Sequence, residues 1–206
     1  MPIDLGALVR PEHTVVLLQE CQEGVIGPQS VLPELAKSAQ EGLLPSVGKL
    51  TTAARAVGVR VVHCLAVPRE DGWGRHRNAP LFLATHRSEN RLAEGSPGVE
   101  VAQGIEVGPD DLVVKRMQGL TPFGYSELDP TLRNEGIRTI IACGVSLNVA
   151  ILALTFEAVS AGYSVVIPRD AVAGVPAEYG QAVLDNTLRA VATLTNTDDL
   201  VSVWDR

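Results

Sequence analysis

Three short stretches of the chain carry side chains that can move protons or hold developing charge. The first is Gln19-Glu20-Cys21-Gln22, where the apolar run TVVLLQ (14–19) ends. The second is Lys115-Arg116, closing the run LVVK (112–115). The third is Gly144-Val145-Ser146-Leu147-Asn148, between the run RTIIAC (138–143) and a segment of helical spacing. A carboxylate, an ammonium and a set of helix N-terminal amides are the parts needed to transfer a proton and to stabilise an oxyanion. Thiols are present at Cys21, Cys64 and Cys143, each in or beside an apolar run. Cysteine in that setting serves more often as a small core hydrophobe than as a nucleophile. Ser126 and Ser146 have hydroxyls, but neither has an evident histidine partner in the sequence.

The elements that must position these residues are legible from the apolar patterning. Runs at 14–19, 59–65, 112–115, 138–143 and 164–167, with a weaker sixth at 200–203, are short and nearly continuous. That habit suits strands buried on both faces, as in parallel sheets. Segments 43–57, 148–161 and 177–194 repeat apolar residues at three- and four-residue steps, and Gly58 and Gly162 follow the first two as stops. A short helix is expected at 130–135, with Asp129 as its cap and Pro130 in the favoured first position. The alternation predicts a three-layer α/β/α Rossmann-like domain with a mostly parallel sheet and right-handed crossovers. Ligands of such sheets bind beyond the carboxyl ends of the strands, where all three reactive stretches fall. His63 reads as a hydrogen-bonded core histidine.

Residues 1–206 show no composition break and read as one domain with a long functional loop around 66–111. In that loop Arg69, Arg75, His76, Arg77 and Asn78 surround Trp73. The functional reading is a lid whose cations meet an anionic substrate, since arginine grips carboxylates bidentately.

Composition narrows the function classes. Of 206 residues 46% are hydrophobic and 20% charged, which excludes a disordered chain. Seventeen Lys and Arg against twenty-four Asp and Glu give a net charge of −7, the wrong sign for a nucleic-acid partner. No apolar run has the length of a membrane span, and the start MPIDLGALVRPEH lacks the form of a secretory signal. Three cysteines without a CxxC pair fit reduced thiols and a cytoplasmic location. No GxGxxG follows the first run, so a dinucleotide-binding oxidoreductase ranks last.

Taken in order, Glu20 with Gln22, Lys115, Phe123-Gly124-Tyr125-Ser126-Glu127-Leu128, Gly144-Val145-Ser146-Leu147-Asn148-Val149, Ala161-Gly162-Tyr163 and Arg169-Asp170-Ala171-Val172 form a pattern. It resembles the isochorismatase-like hydrolase superfamily, from about residue 14 to about residue 194. The resemblance implies a sheet usually of six strands, a small-molecule substrate, and assembly as a homodimer or larger homo-oligomer. Members commonly use an Asp, Lys and Cys triad, in which the thiolate attacks an amide-type carbonyl. Lys115 matches the lysine, Glu20 stands where Asp is usual, and Ala150 stands where the cysteine is expected. The Val145–Ser146 bond matches a cis bond that shapes the oxyanion turn. The resemblance further puts Gln22, Phe123, Tyr125, Val145, Ser146 and Asn148 around the substrate, with the two aromatics as wall or core groups. Metal-binding members carry an Asp and two His after the second strand; Leu65-Ala66-Val67-Pro68 offers no such set, so neither metal nor other cofactor is expected.

Alanine has no nucleophilic atom, so no acyl-enzyme can form at residue 150. What remains is hydrolysis of a small, carboxylate-bearing metabolite by acid/base chemistry, at a vinyl ether, amide or ester bond. Glu20 is then the acid or base and Lys115 its electrostatic partner; burial would favour the neutral carboxyl and a nearby cation the charged one. The rival is an inactive relative that binds a small molecule or serves as an assembly subunit.

Overall fold

The computed structural model describes residues 3–87, 92–124 and 126–205. Its centre is a parallel sheet of β1 (Thr14–Gln19), β2 (Arg60–Ala66), β3 (Leu112–Arg116), β4 (Thr139–Val145), β5 (Ser164–Pro168), β6 (Val172–Ala173) and β7 (Thr193–Thr195). The main path runs β3-β2-β1-β4-β5-β7, and the two-residue β6 pairs with the end of β4. The mostly parallel α/β/α expectation therefore holds, with the six-stranded path extended by one short strand.

Alternation along each strand divides the interior into two cores. Val16, Leu18, Val61, Ile141 and Val166 pack on one face with Val47, Leu50 and Ala54 of helix Leu44–Ala56 and Leu200 of helix Thr197–Trp204. Val15, Leu17, Val62, Ile140 and Val165 pack on the other, with Leu132 of helix Leu128–Asn134, Leu154 of helix Leu152–Ser160 and Leu184 of helix Ala177–Asn186. Both faces of β1 are buried, which is why its sequence is apolar at every step rather than at alternate ones. Each fully buried aliphatic side chain here contributes roughly 1.5–3 kcal/mol.

Three local expectations are corrected. The weak run 200–203 is not a strand: it lies within helix Thr197–Trp204, where Asn196 and Asp199 form a reciprocal capping box. That cap satisfies orphan backbone amides and commits the segment to helix over the β-preference of its valines. The long helix expected over 177–194 ends at Asn186, and Thr193–Thr195 becomes β7 beside β5. The short helix begins at Leu128 with Glu127 as its cap residue, so Asp129 sits in the first turn and pairs with Arg133 and the Tyr163 hydroxyl instead.

Where β1 and β4 end side by side, Gln19 is paired with Gly144. Gly144 has φ +108°, and a Cβ there would lie 2.2 Å from the Gln19 carbonyl oxygen. Glycine is required at this closest approach, which brings the residues after the two strands to one edge.

Candidate active site

Glu20 is set by the backbone before its side chain does anything. It follows β1 directly and has φ +52°, a left-handed conformation uncommon outside glycine. Its N–H donates to the Cys64 carbonyl at 2.9 Å, and its own carbonyl accepts the Gln22 N–H at 2.9 Å, closing a tight turn. Holding a non-glycine residue there costs of the order of 1–3 kcal/mol, which the flanking strands must offset. The Glu20 carboxylate accepts two hydrogen bonds on the same atom: Arg116 Nη2 and Gln19 Nε2 (3.2 Å) both donate to Oε1. Gln19 also donates to the Leu120 carbonyl at 3.3 Å. Oε2 has no hydrogen bond among the described residues.

The cation that faces Glu20 is therefore Arg116, and Lys115 is corrected. The pleat decides between the neighbours. Leu112, Val114 and Arg116 share one face of β3, Val114 packs into the core, and the Arg116 side chain is 3% exposed. Lys115 points the other way; it is exposed, makes no ion pair among the described residues and does not line the cavity below. Strand parity was the available signal, since Arg116 shares the parity of buried Val114. Arg116 Nε and Nη1 are buried without a partner among the described residues.

Glu20 and Arg116 open onto a cavity of about 120 Å³. Ser146, Val149 and Ala150 line it from the turn after β4. The Val145–Ser146 bond is cis, and the Val149 and Ile151 N–H groups donate to the Ser146 carbonyl at 3.1 and 3.0 Å. Leu32 and Leu35 form an apolar wall ahead of helix Leu44–Ala56, and Leu81 and Phe82 of helix Pro80–Arg87 form another. Described residues of the chain after β2 thus form one side of the cavity. Arg75 and His76 from this stretch line the cavity. Arg69 instead pairs with Asp71 through two contacts of 3.0 and 2.6 Å, Trp73 is 79% exposed, and Arg77 and Asn78 are also exposed.

Of the other expected substrate contacts, four are placed elsewhere and one is not described. Gln22 is fully buried, and its amide is spent on backbone. Its Nε2 donates to the carbonyls of Ala66 (3.0 Å) and Gly98 (3.3 Å), while its Oε1 accepts the Ala66 N–H at 2.8 Å. It fastens the turn after β1 to the end of β2. Phe123 lies 5.9 Å from the Tyr163 ring, at a separate surface depression beside Phe156. The Val145 side chain is in the core. Asn148 donates from Nδ2 to the Val175 carbonyl at 3.3 Å and does not line the cavity. Tyr125 lies outside the described residues.

Cys21 and Cys64 adjoin Glu20 in the fold, but the thiols do not reach the cavity. Cys21, Cys64 and Cys143 are buried, and none lines the cavity. Burial pushes Cys21 and Cys64 up to about 12 and raises Cys143 well above its usual value, with the Glu20 charge adding to the shift at Cys21. Among the described residues no group of three or more His, Cys, Asp and Glu side chains converges as a metal site would, and no helix is long and apolar enough to cross a membrane. His63 is a core group: its Nε2 lies 2.9 Å from Asp111 Oδ2, and Asp111 is also held by Arg55 and the Gly108 N–H.

Comparison with known proteins agrees with this architecture. Residues 14–199 match the isochorismatase domain. A ureidoacrylate amidohydrolase, RutB of Azorhizobium caulinodans, is 24% identical over 192 residues, spanning 84% of this chain and 82% of that protein. A cysteine hydrolase of Pseudomonas syringae pv. phaseolicola superposes with a TM-score of 0.85 at 25% identity, covering 96% of this chain and 95% of that one. The N-carbamoylsarcosine amidase of Thermoplasma acidophilum shares the fold, with a TM-score of 0.71 at 19% identity over 90% of this chain and 97% of its own. With the matched domain spanning nearly its whole length and the parallel sheet arranged as described, this chain belongs to the isochorismatase family of hydrolases.

Proposed function

We propose that the protein hydrolyses a small, carboxylate-bearing metabolite by acid/base chemistry at Glu20, without a covalent thiol intermediate. The observation that carries this reading is the division of labour within one carboxylate. Oε1 is occupied by a guanidinium and an amide NH2, which can only donate, while Oε2 is unengaged beside a cavity that Ala150 also lines. Oε2 is then the atom that exchanges a proton. An amide is the favoured bond, because the related proteins named above include an amidohydrolase and an amidase.

In the proposed step Oε2 takes a proton from a water molecule as its oxygen attacks the carbonyl carbon. A tetrahedral oxyanion forms, and the same proton then passes to the leaving nitrogen as the C–N bond breaks. The Arg116 guanidinium fixes the carboxylate through Oε1. Alanine at residue 150 leaves room for the water where the family commonly has sulfur. The buried, high-pKa thiols outside the cavity support a mechanism that does not use them.

The test is turnover of a panel of small carboxamides, esters and isochorismate by wild type and Glu20→Gln, with intact-protein mass spectrometry during turnover. Loss of a general base lowers the rate by about 10²–10⁴-fold. Unchanged turnover in Glu20→Gln, or an acyl adduct on any cysteine, would sink the proposal. A second reading, a binder that has lost catalysis, draws on Ala150 itself. Tight ligand binding with no turnover across the panel would favour it.

A further inference from the structure

Among the described residues, the cavity is lined by one more arginine than its acid offsets. Glu20 and Arg116 balance each other as an ion pair. Arg75 also lines the cavity, is half-buried, and makes no ion pair among the described residues. Its one hydrogen bond among them is a 3.5 Å contact from Nη2 to the Thr85 carbonyl, long for a guanidinium donor. The contrast with Arg69 six residues earlier is direct, since that guanidinium is spent on Asp71 in solvent. Burial without a counter-charge holds the Arg75 pKa below its usual value, although an arginine stays protonated. A guanidinium kept partly out of water beside a mostly apolar cavity, its fork engaged among the described residues by that one long contact, has the features of a carboxylate receptor.

We propose that Arg75 is the specificity-determining residue of the site, gripping the carboxylate of a monoanionic ligand whose apolar body is no larger than an aromatic ring. The charge count sets the first limit, because one unpaired cation fits one anionic group. The space sets the second: 120 Å³ is somewhat below the roughly 150 Å³ cavity that accommodates benzene in another protein. The walls set the third: most lining side chains are apolar, Leu32, Leu35, Leu81 and Phe82 among them, and His76, Thr85, Gln118 and Ser146 are the polar exceptions besides Glu20 and the two arginines. The inference rests on the proposed function for the ligand being a substrate, but not for its being bound.

Calorimetric titration with benzoate, its neutral analogue benzamide and its dianionic analogue phthalate tests the proposal on wild type, Arg75→Gln, Arg75→Lys and Arg69→Gln. Benzoate should bind wild type at least about tenfold more tightly than either analogue, the scale of one charge-assisted hydrogen bond. Arg75→Gln should lose about ten- to a hundredfold for benzoate and little for benzamide. Arg75→Lys should recover part of that loss, because it restores the charge without the fork, and Arg69→Gln should match wild type. Equal affinity for benzoate and benzamide, failure of wild type to bind benzoate, or undiminished benzoate binding in a folded Arg75 variant would overturn it. If Arg75→Gln does not fold, the reduced affinity of Arg75→Lys relative to wild type decides the matter in its place. Arg75-dependent binding with no turnover of any panel substrate would remove the hydrolase reading and leave this one standing. Turnover without dependence on Arg75 would do the reverse.

Discussion

At the scale of single residues, the site depends on which of two adjacent cations meets Glu20. Arg116 is sealed in and paired, whereas Lys115 is exposed on the opposite face of β3. Removing the guanidinium leaves the Glu20 carboxylate without its strongest donor in a mostly buried site. Arg116→Met is therefore expected to cost about 3 kcal/mol of stability, as breaking a buried pair does. Lys115→Ala should stay within about 0.5 kcal/mol of wild type, the usual range for an exposed position. Urea denaturation of both variants checks this, and a Lys115→Ala loss equal to that of Arg116→Met would contradict the assignment. Gln22 is the complementary case. A polar residue two positions after Glu20 has the sequence profile of a ligand contact, yet its three hydrogen bonds all go to backbone of Ala66 and Gly98.

At the scale of elements, the site exists because strand ends are brought into register. β1 and β4 approach so closely at Gln19 and Gly144 that a side chain cannot intervene. Gly144→Ala would place a methyl group 2.2 Å from a backbone oxygen and hold alanine at positive φ. We expect a loss of about 3 kcal/mol or more, from overpacking and backbone strain together, measurable as a lowered denaturation midpoint. A change of less than about 1 kcal/mol would mean that the strands can part without penalty. Helix Thr197–Trp204 shows an element decided by its end rather than its middle: LVSV offers a strand, but the first turn carries a capping box. Asn196→Ala should cost about 1 kcal/mol, since it removes the oxygen that receives the first-turn amide.

At the scale of the whole molecule, pH links stability to groups outside the site. His63 is buried beside Asp111, and burial lowers its pKa more than the Asp111 contact raises it. On unfolding, His63 returns to its ordinary value near 6.5 and gains a proton that the folded protein excludes. Its contribution to stability is therefore present at neutral pH and falls as pH drops below about 6.5, by no more than about 1.4 kcal/mol per pH unit for one proton. Burial alone would raise Asp111, but hydrogen bonds from Arg55, His63 and the Gly108 N–H outweigh it, so its folded pKa is lowered. Its contribution is lost only in more acid solution, as pH falls through that lowered value. Urea midpoints at pH 7.5 and 5.5 should drop for wild type and drop less for His63→Gln; equal drops would remove His63 as the cause. The fold was largely legible in the sequence, because strands buried on both faces must be apolar at nearly every position, as β1, β2, β4 and β5 are, and the apolar runs alternate with helical ones. Glu20 and Ala150 were legible too, as a strand-end acid and a residue without a nucleophile. The sequence by itself determined the first five strands of the sheet, the chemistry-bearing residues at their ends and the absence of sulfur at residue 150. Only the tertiary structure decided that Arg116 faces Glu20, that Gln22 is spent on backbone, and that Arg75 lines the cavity without an ionic partner among the described residues. Those facts depend on pleat parity and on contacts between segments far apart in the chain, and residue type alone encodes neither.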